Sequence, residues 1–192
     1  MQMLAIFGMC ILASVLYGIV HDQITVRVCL EYFTIGHPPV FDTQSPTLLA
    51  LGWGVIASWW GGAILGAMLA FAARLGNRPK YTARMLVKPV VFLLGTMGLF
   101  AAISGVIGYT MAGTGNVILS EEAKRHIPHA KWAAFQACWF AHTASYYVAF
   151  MGGSMQVVWV AMSRKRLRPS SRVAGYPAGP RNNTSRHRPE QQ

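Results

Sequence analysis

The chain has 192 residues, of which 53% are hydrophobic and only 12% charged, and it carries a formal net charge of +11. Soluble domains hold about 25% charged residues, so this composition excludes an ordinary water-soluble globule and points to a chain solvated by lipid. Its three cysteines, Cys10, Cys29 and Cys138, form no CxxC pair, which excludes a paired-thiol redox motif.

The first of four runs without Asp, Glu, Lys or Arg covers residues 3–20. A membrane helix needs about 20 apolar residues, because it rises about 1.5 Å per residue across a hydrocarbon core about 30 Å thick. The run reads as an uncleaved helix rather than a signal peptide. Met1, Gln2 and Met3 supply no basic flank, and Tyr17-Gly18-Ile19-Val20-His21 is no small-x-small cleavage site.

Residues 21–47 then form a structured loop. Ile24, Val26, Val28, Leu30 and Tyr32 alternate with Thr25, Arg27, Cys29 and Glu31, a period of two that favours an extended segment over a helix pairing Arg27 with Glu31. His37-Pro38-Pro39 ends any regular element.

The second run, 48–73, places small residues at every fourth position: Ala50, Gly54, Ser58, Gly62, Gly66 and Ala70. The third, 90–112, carries Gly98, Gly105 and Ala112, with Ala101 and Gly108 alongside. The fourth, 132–162, repeats the four-residue spacing through Ala133, Ala137, Ala141, Ser145, Ala149 and Gly153. Small residues let helix backbones approach closely in lipid, and the two long ridges predict one tight pair between the second and fourth runs. Between the third and fourth runs, Ser120 is placed to cap a short helix opening with Glu121 and Glu122, and Pro128 to begin the last run.

The fold expected is all-α: a four-transmembrane-helix bundle over residues 1–162, followed by a disordered basic tail over 163–192. Arg74, Arg78, Lys80, Arg84 and Lys88 lie between the second and third runs, and Arg164, Lys165, Arg166, Arg168 and Arg172 follow the fourth. The positive-inside rule puts both segments, and therefore both termini, in the cytoplasm, with a bacterial inner membrane as the expected location. The tail has the charge to contact anionic lipid headgroups, whereas the aromatic interleaving of a nucleic-acid platform is missing.

Chemistry is concentrated in a few side chains. His142 is the one strongly polar titratable group deep within a run, and an ionisable group there is a functional candidate. Cys138 and Tyr146 flank it at one turn on either side. His21, Asp22, Glu31, His37, His126 and His129 fall on the expected outer side, and imidazole with carboxylate suits zinc, iron or copper. Glu31 joins His142 as a catalytic candidate. No HExxH or Glu-x-x-His repeat names a metal or other cofactor. With no carboxylate expected inside a span, ion-coupled transport by a single chain is disfavoured.

No specific activity is legible. The first expectation is an accessory membrane component whose small-residue faces bind further copies of itself or a larger complex. The alternatives are a metal-dependent or redox enzyme using the outer histidines and acids, and a subunit of an oligomeric channel.

Overall fold

A computed structural model describes residues 1–164. All regular structure there is helical: α1 (Gln2–Val28), α2 (Glu31–Thr34), α3 (Pro46–Ile56), α4 (Trp59–Arg74), α5 (Ala83–Gly113), α6 (Glu121–His126), a 3₁₀ turn (His129–Lys131) and α7 (Trp132–Ser163). Apart from Ser163, which ends α7, and Arg164, the expected disordered tail lies outside the described residues.

Three stretches, Gln2–Val28, Pro46–Arg74 and Ala83–Gly113, are long and apolar enough to cross a membrane. Only 17 to 22% of their apolar windows is buried within the protein. Large apolar side chains such as Leu4, Phe92 and Phe150 are more than 70% exposed. A water-soluble monomer rarely leaves so much contiguous apolar surface uncovered, and the chain is an integral membrane protein by this measure.

The expected extended segment after residue 20 is helix instead. α1 runs on to Val28, with Thr25 Oγ1 donating to the His21 carbonyl at 3.1 Å and Arg27 donating to the Gln23 side chain at 2.7 Å. Alternating polarity signals a strand where one face meets water. Here Val26 is buried, while Ile24 and Val28 face outward, and a helix satisfies its own backbone without needing a partner strand. The turn comes at Cys29, whose extended conformation (φ −151°, ψ 102°) ends α1. Arg27 and Glu31 therefore do not share a helix, and Glu31 pairs with Lys131 at 3.2 Å.

The second apolar run is also divided. It breaks at Ala57–Ser58, where Ser58 Oγ bonds back to the Gly54 carbonyl and Ser14 of α1 donates to the Ser58 carbonyl at 2.8 Å. Ser58 thus satisfies a carbonyl that the break frees in an apolar setting, while Ser14 adds a second donor to a Ser58 carbonyl that already accepts the Gly62 N–H at 3.2 Å.

α1 packs along α3 and α4, and α5 packs along α7. Narrower contacts of α1 with α5 and of α4 with α7 join the two pairs. The small-residue ridges accordingly do not face one another as expected. The ridge of α3–α4 closes on α1: a Cβ at Gly54 would lie 2.6 Å from the Ile19 Cα, and one at Gly62 would lie 2.7 Å from the Cys10 carbonyl. The ridge of α7 meets α5, where a Cβ at Gly105 would sit 3.6 Å from that of Ala141. Each ridge has its groove in the helix next to it rather than in the other ridge.

At the end of the molecule formed by Arg74, Ala83 and Ser163, Arg164 is buried and donates to the carbonyls of Ala72 (2.6 Å), Pro79 (2.8 Å) and Arg78 (3.1 Å). Cations belong where helix carbonyls are left open, and this one latches α7 to the end of α4. At the opposite end Ser120 caps α6 as expected, accepting from the Ala123 N–H at 3.1 Å. Pro128 precedes the 3₁₀ turn, one step before α7 proper.

Candidate metal centre

Because α1 continues past residue 20, His21 and Asp22 lie in its helix instead of in a loop. They sit about 10 Å in from its Val28 end at 1.5 Å per residue. α7 runs antiparallel and brings His142 to the same level, ten residues from its start at Trp132. Asp22 is 5% exposed, and its Oδ1 lies 3.1 Å from His142 Nε2.

The other nitrogen of His142, Nδ1, lies 2.7 Å from the Cys138 carbonyl. A carbonyl can only accept, so Nδ1 carries the proton and Nε2 of the neutral ring is left with a lone pair. That lone pair confronts a carboxylate oxygen, also an acceptor. The contact is therefore held by one positive charge, either a further proton or a metal ion. His21 stands edge-on to the His142 ring, centroids 4.4 Å apart, and its buried Nε2 has no hydrogen-bond partner.

One ligand atom from each of His21, Asp22 and His142 lies within 4.8 Å of the others. Around a tetrahedral ion with bonds of 2.0–2.2 Å, neighbouring ligand atoms are about 3.3 Å apart. The Asp22–His142 edge, 3.1 Å, is close to that length, and His21 would close by at most about 1.5 Å to complete the triangle. For such an ion the Nδ1 bond to the Cys138 carbonyl would be the outer contact that fixes the imidazole in its tautomer.

Aromatic rings wall the cluster. Tyr32 lies 4.6 Å from the His142 ring, and Tyr17 bonds Ser145 across α1 and α7 at 2.7 Å while stacking 5.7 Å from His21. Burial raises the Tyr32 phenol above its usual range. His37 is near but separate: its Nδ1 donates to the Tyr32 carbonyl at 2.8 Å, and its ring packs on Phe33 and Trp53. Burial lowers its basicity despite that hydrogen bond.

The remaining candidates lie apart. Glu31 is engaged by Lys131 and by the Cys29 thiol at 3.5 Å. Burial would raise its carboxyl, but hydrogen bonds from its own N–H, Lys131 and Cys29 outweigh that and hold it below the ordinary range. Burial also pushes the Cys29 thiol up to about 11. His126 bonds the Glu122 carbonyl at 3.0 Å and His129 packs on Trp132, neither of them in the cluster.

Gln136 is a buried residue that carries no motif. Its Nε2 donates to the carbonyls of Gly108 (3.0 Å) and Asn116 (3.2 Å), and its Oε1 accepts from the Ile118 N–H at 2.8 Å. It ties the end of α5 and the following turn to α7, two residues before Cys138. Its only sign in the sequence was an amide in an apolar run, a sign that Gln156 shares.

The chain matches no family model, no curated protein and no solved structure.

Proposed function

We propose that the protein crosses the membrane four times, through α1, α3–α4, α5 and α7, and carries a divalent transition-metal centre at His21, Asp22 and His142. α7 supports the fourth span: its 32 residues include no formal charge, and at 1.5 Å per residue they reach about 48 Å. Basic residues around Arg74–Lys88 and from Arg164 onward support cytoplasmic termini, which puts the centre in the outer half of the bilayer.

The observation that carries the metal reading is the pair of acceptors, His142 Nε2 and Asp22 Oδ1, facing each other beside the unpartnered His21 Nε2. One divalent cation satisfies all three atoms, whereas a proton satisfies two. Three protein ligands leave a position open, the arrangement of catalytic rather than closed structural sites. A metal-dependent membrane enzyme is thus favoured over an accessory component, whose small-residue ridges are largely occupied by packing within the chain.

Metal analysis of detergent-purified protein tests this. About one zinc, iron or copper per chain is expected, with affinity reduced at least about 10-fold in Asp22→Asn, His21→Ala and His142→Ala. His126→Ala should leave it unchanged. Added metal should raise the melting temperature, since a site filled at 100 times its Kd contributes about 2.7 kcal/mol. Wild-type protein that purifies without metal and gains no stability from Zn²⁺, Co²⁺ or Fe²⁺ would show that a proton, not a metal, joins Asp22 to His142.

A further inference from the structure

α1 and α5 touch only narrowly, and between them lies a groove of about 470 Å³ floored by α7. Gly98, Ala101, Ala102 and Gly105 of α5 make the space, and Ala137, Cys138 and Ala141 of α7 close its floor. Its rim is Val20, Ile24, Val28, Val106 and Tyr109, each between 47 and 65% exposed. The volume falls in the range of small-molecule sites, about 300–1,000 Å³. No Asp, Glu, Lys or Arg lines it, and the way in is through the face that lipid covers. Its polar side chains are Tyr109 at the rim, Tyr17 and Thr25, whose hydroxyls already bond Ser145 and the His21 carbonyl, and His21, which belongs to the candidate centre.

We propose that this groove takes a neutral, chain-bearing molecule from the bilayer, with the chain along α5 and an oxygen-containing head at His21. An ionised head is excluded, because the walls offer it neither a counter-charge nor water. A chain without a head would leave the polar edge of His21 unused. The binding claim stands on the groove alone.

The probe is hexadecanol bearing a diazirine on its chain, crosslinked to the full-length protein in nanodiscs and mapped by mass spectrometry. Labelling is expected to concentrate on residues 17–28 and 98–109. Unlabelled hexadecanol or farnesol should compete, their relative strength separating an acyl from an isoprenoid source, while hexadecyl sulfate should not. Gly98→Leu supplies the plug, since a Cβ there meets nothing nearer than Tyr17 at 3.9 Å. It should reduce labelling about tenfold, a loss of about 1.4 kcal/mol in affinity, with metal content unchanged.

Focused, Gly98-sensitive labelling of a metal-free protein would uphold the groove and remove the metal reading alone. Even labelling of every lipid-facing helix, unaltered by Gly98→Leu, overturns the proposal while leaving metal binding intact. So does a wild-type dimer that Gly98→Leu converts to monomer, because the groove would then hold a helix from a second copy.

Discussion

Two amides in α7 show how differently the same side chain can matter. Gln136 is fully buried and uses both ends of its amide, whereas Gln156 donates to the Pro89 carbonyl but leaves Oε1 buried without a partner. Removing a group that satisfies buried partners strands them, at about 1–3 kcal/mol each, while removing an unsatisfied one returns part of the loss. Gln136→Met should therefore destabilise the protein by about 2–4 kcal/mol and Gln156→Met by less than about 1 kcal/mol. Unfolding in mixed micelles with rising SDS measures both. Equal losses would contradict the hydrogen-bond assignment. Nothing in the sequence separates the two glutamines, because their partners are backbone groups of another helix and its turn.

Among the helices, adjacent glycines give the corresponding contrast. A Cβ at Gly62 would lie 2.7 Å from both the Cys10 carbonyl and the Ser14 Cβ, whereas one at Gly61 meets nothing within 4 Å. Gly62→Ala should cost about 1–3 kcal/mol by forcing α4 away from α1. Gly61→Ala should stabilise by up to about 1 kcal/mol, because alanine loses less freedom in a helix. The same SDS titration reads both signs, and a stable Gly62→Ala would mean that α1 and α4 are not in contact there. This difference was legible: Gly62 belongs to the four-residue ridge and Gly61 does not. The ridge's partner was marked more faintly: α1 meets it with Cys10, Ser14 and Gly18, the same four-residue spacing carried by three small residues instead of six. The end of α1 was hidden for a related reason. Hydropathy falls at His21 and Asp22, yet the Asp22 carboxylate is met by His142, 120 positions away along the chain. By contrast the 90–112 and 132–162 runs lie within α5 and α7, because long uncharged stretches leave the backbone little alternative to helix in lipid.

At the scale of the whole molecule, the basic residues predict an orientation on which geometry alone is silent. Arg74 and Arg164 lie at the same end of the bundle, with Arg74 donating to the Tyr81 carbonyl and Arg164 to carbonyls of the same loop region. Reporter fusions at Asn77 and Gln192 should both be cytoplasmic, and one at Asn116 should be on the opposite side. Fusions at Asn77 and Gln192 that report opposite sides would remove α7 as a span.

The pairing of Asp22 with His142 joins the first long helix to the last. During synthesis, α1 can settle against α3 and α4 long before the ribosome has made α7. Throughout that interval Asp22 waits within a lipid-embedded helix with no His142 beside it, a penalty of up to about 3 kcal/mol for a carboxylate at the bilayer centre. Arrival of the final helix relieves it and assembles the three donors at once. A chain cut short before α7 would lack His142 and keep that acid solitary in its apolar helix.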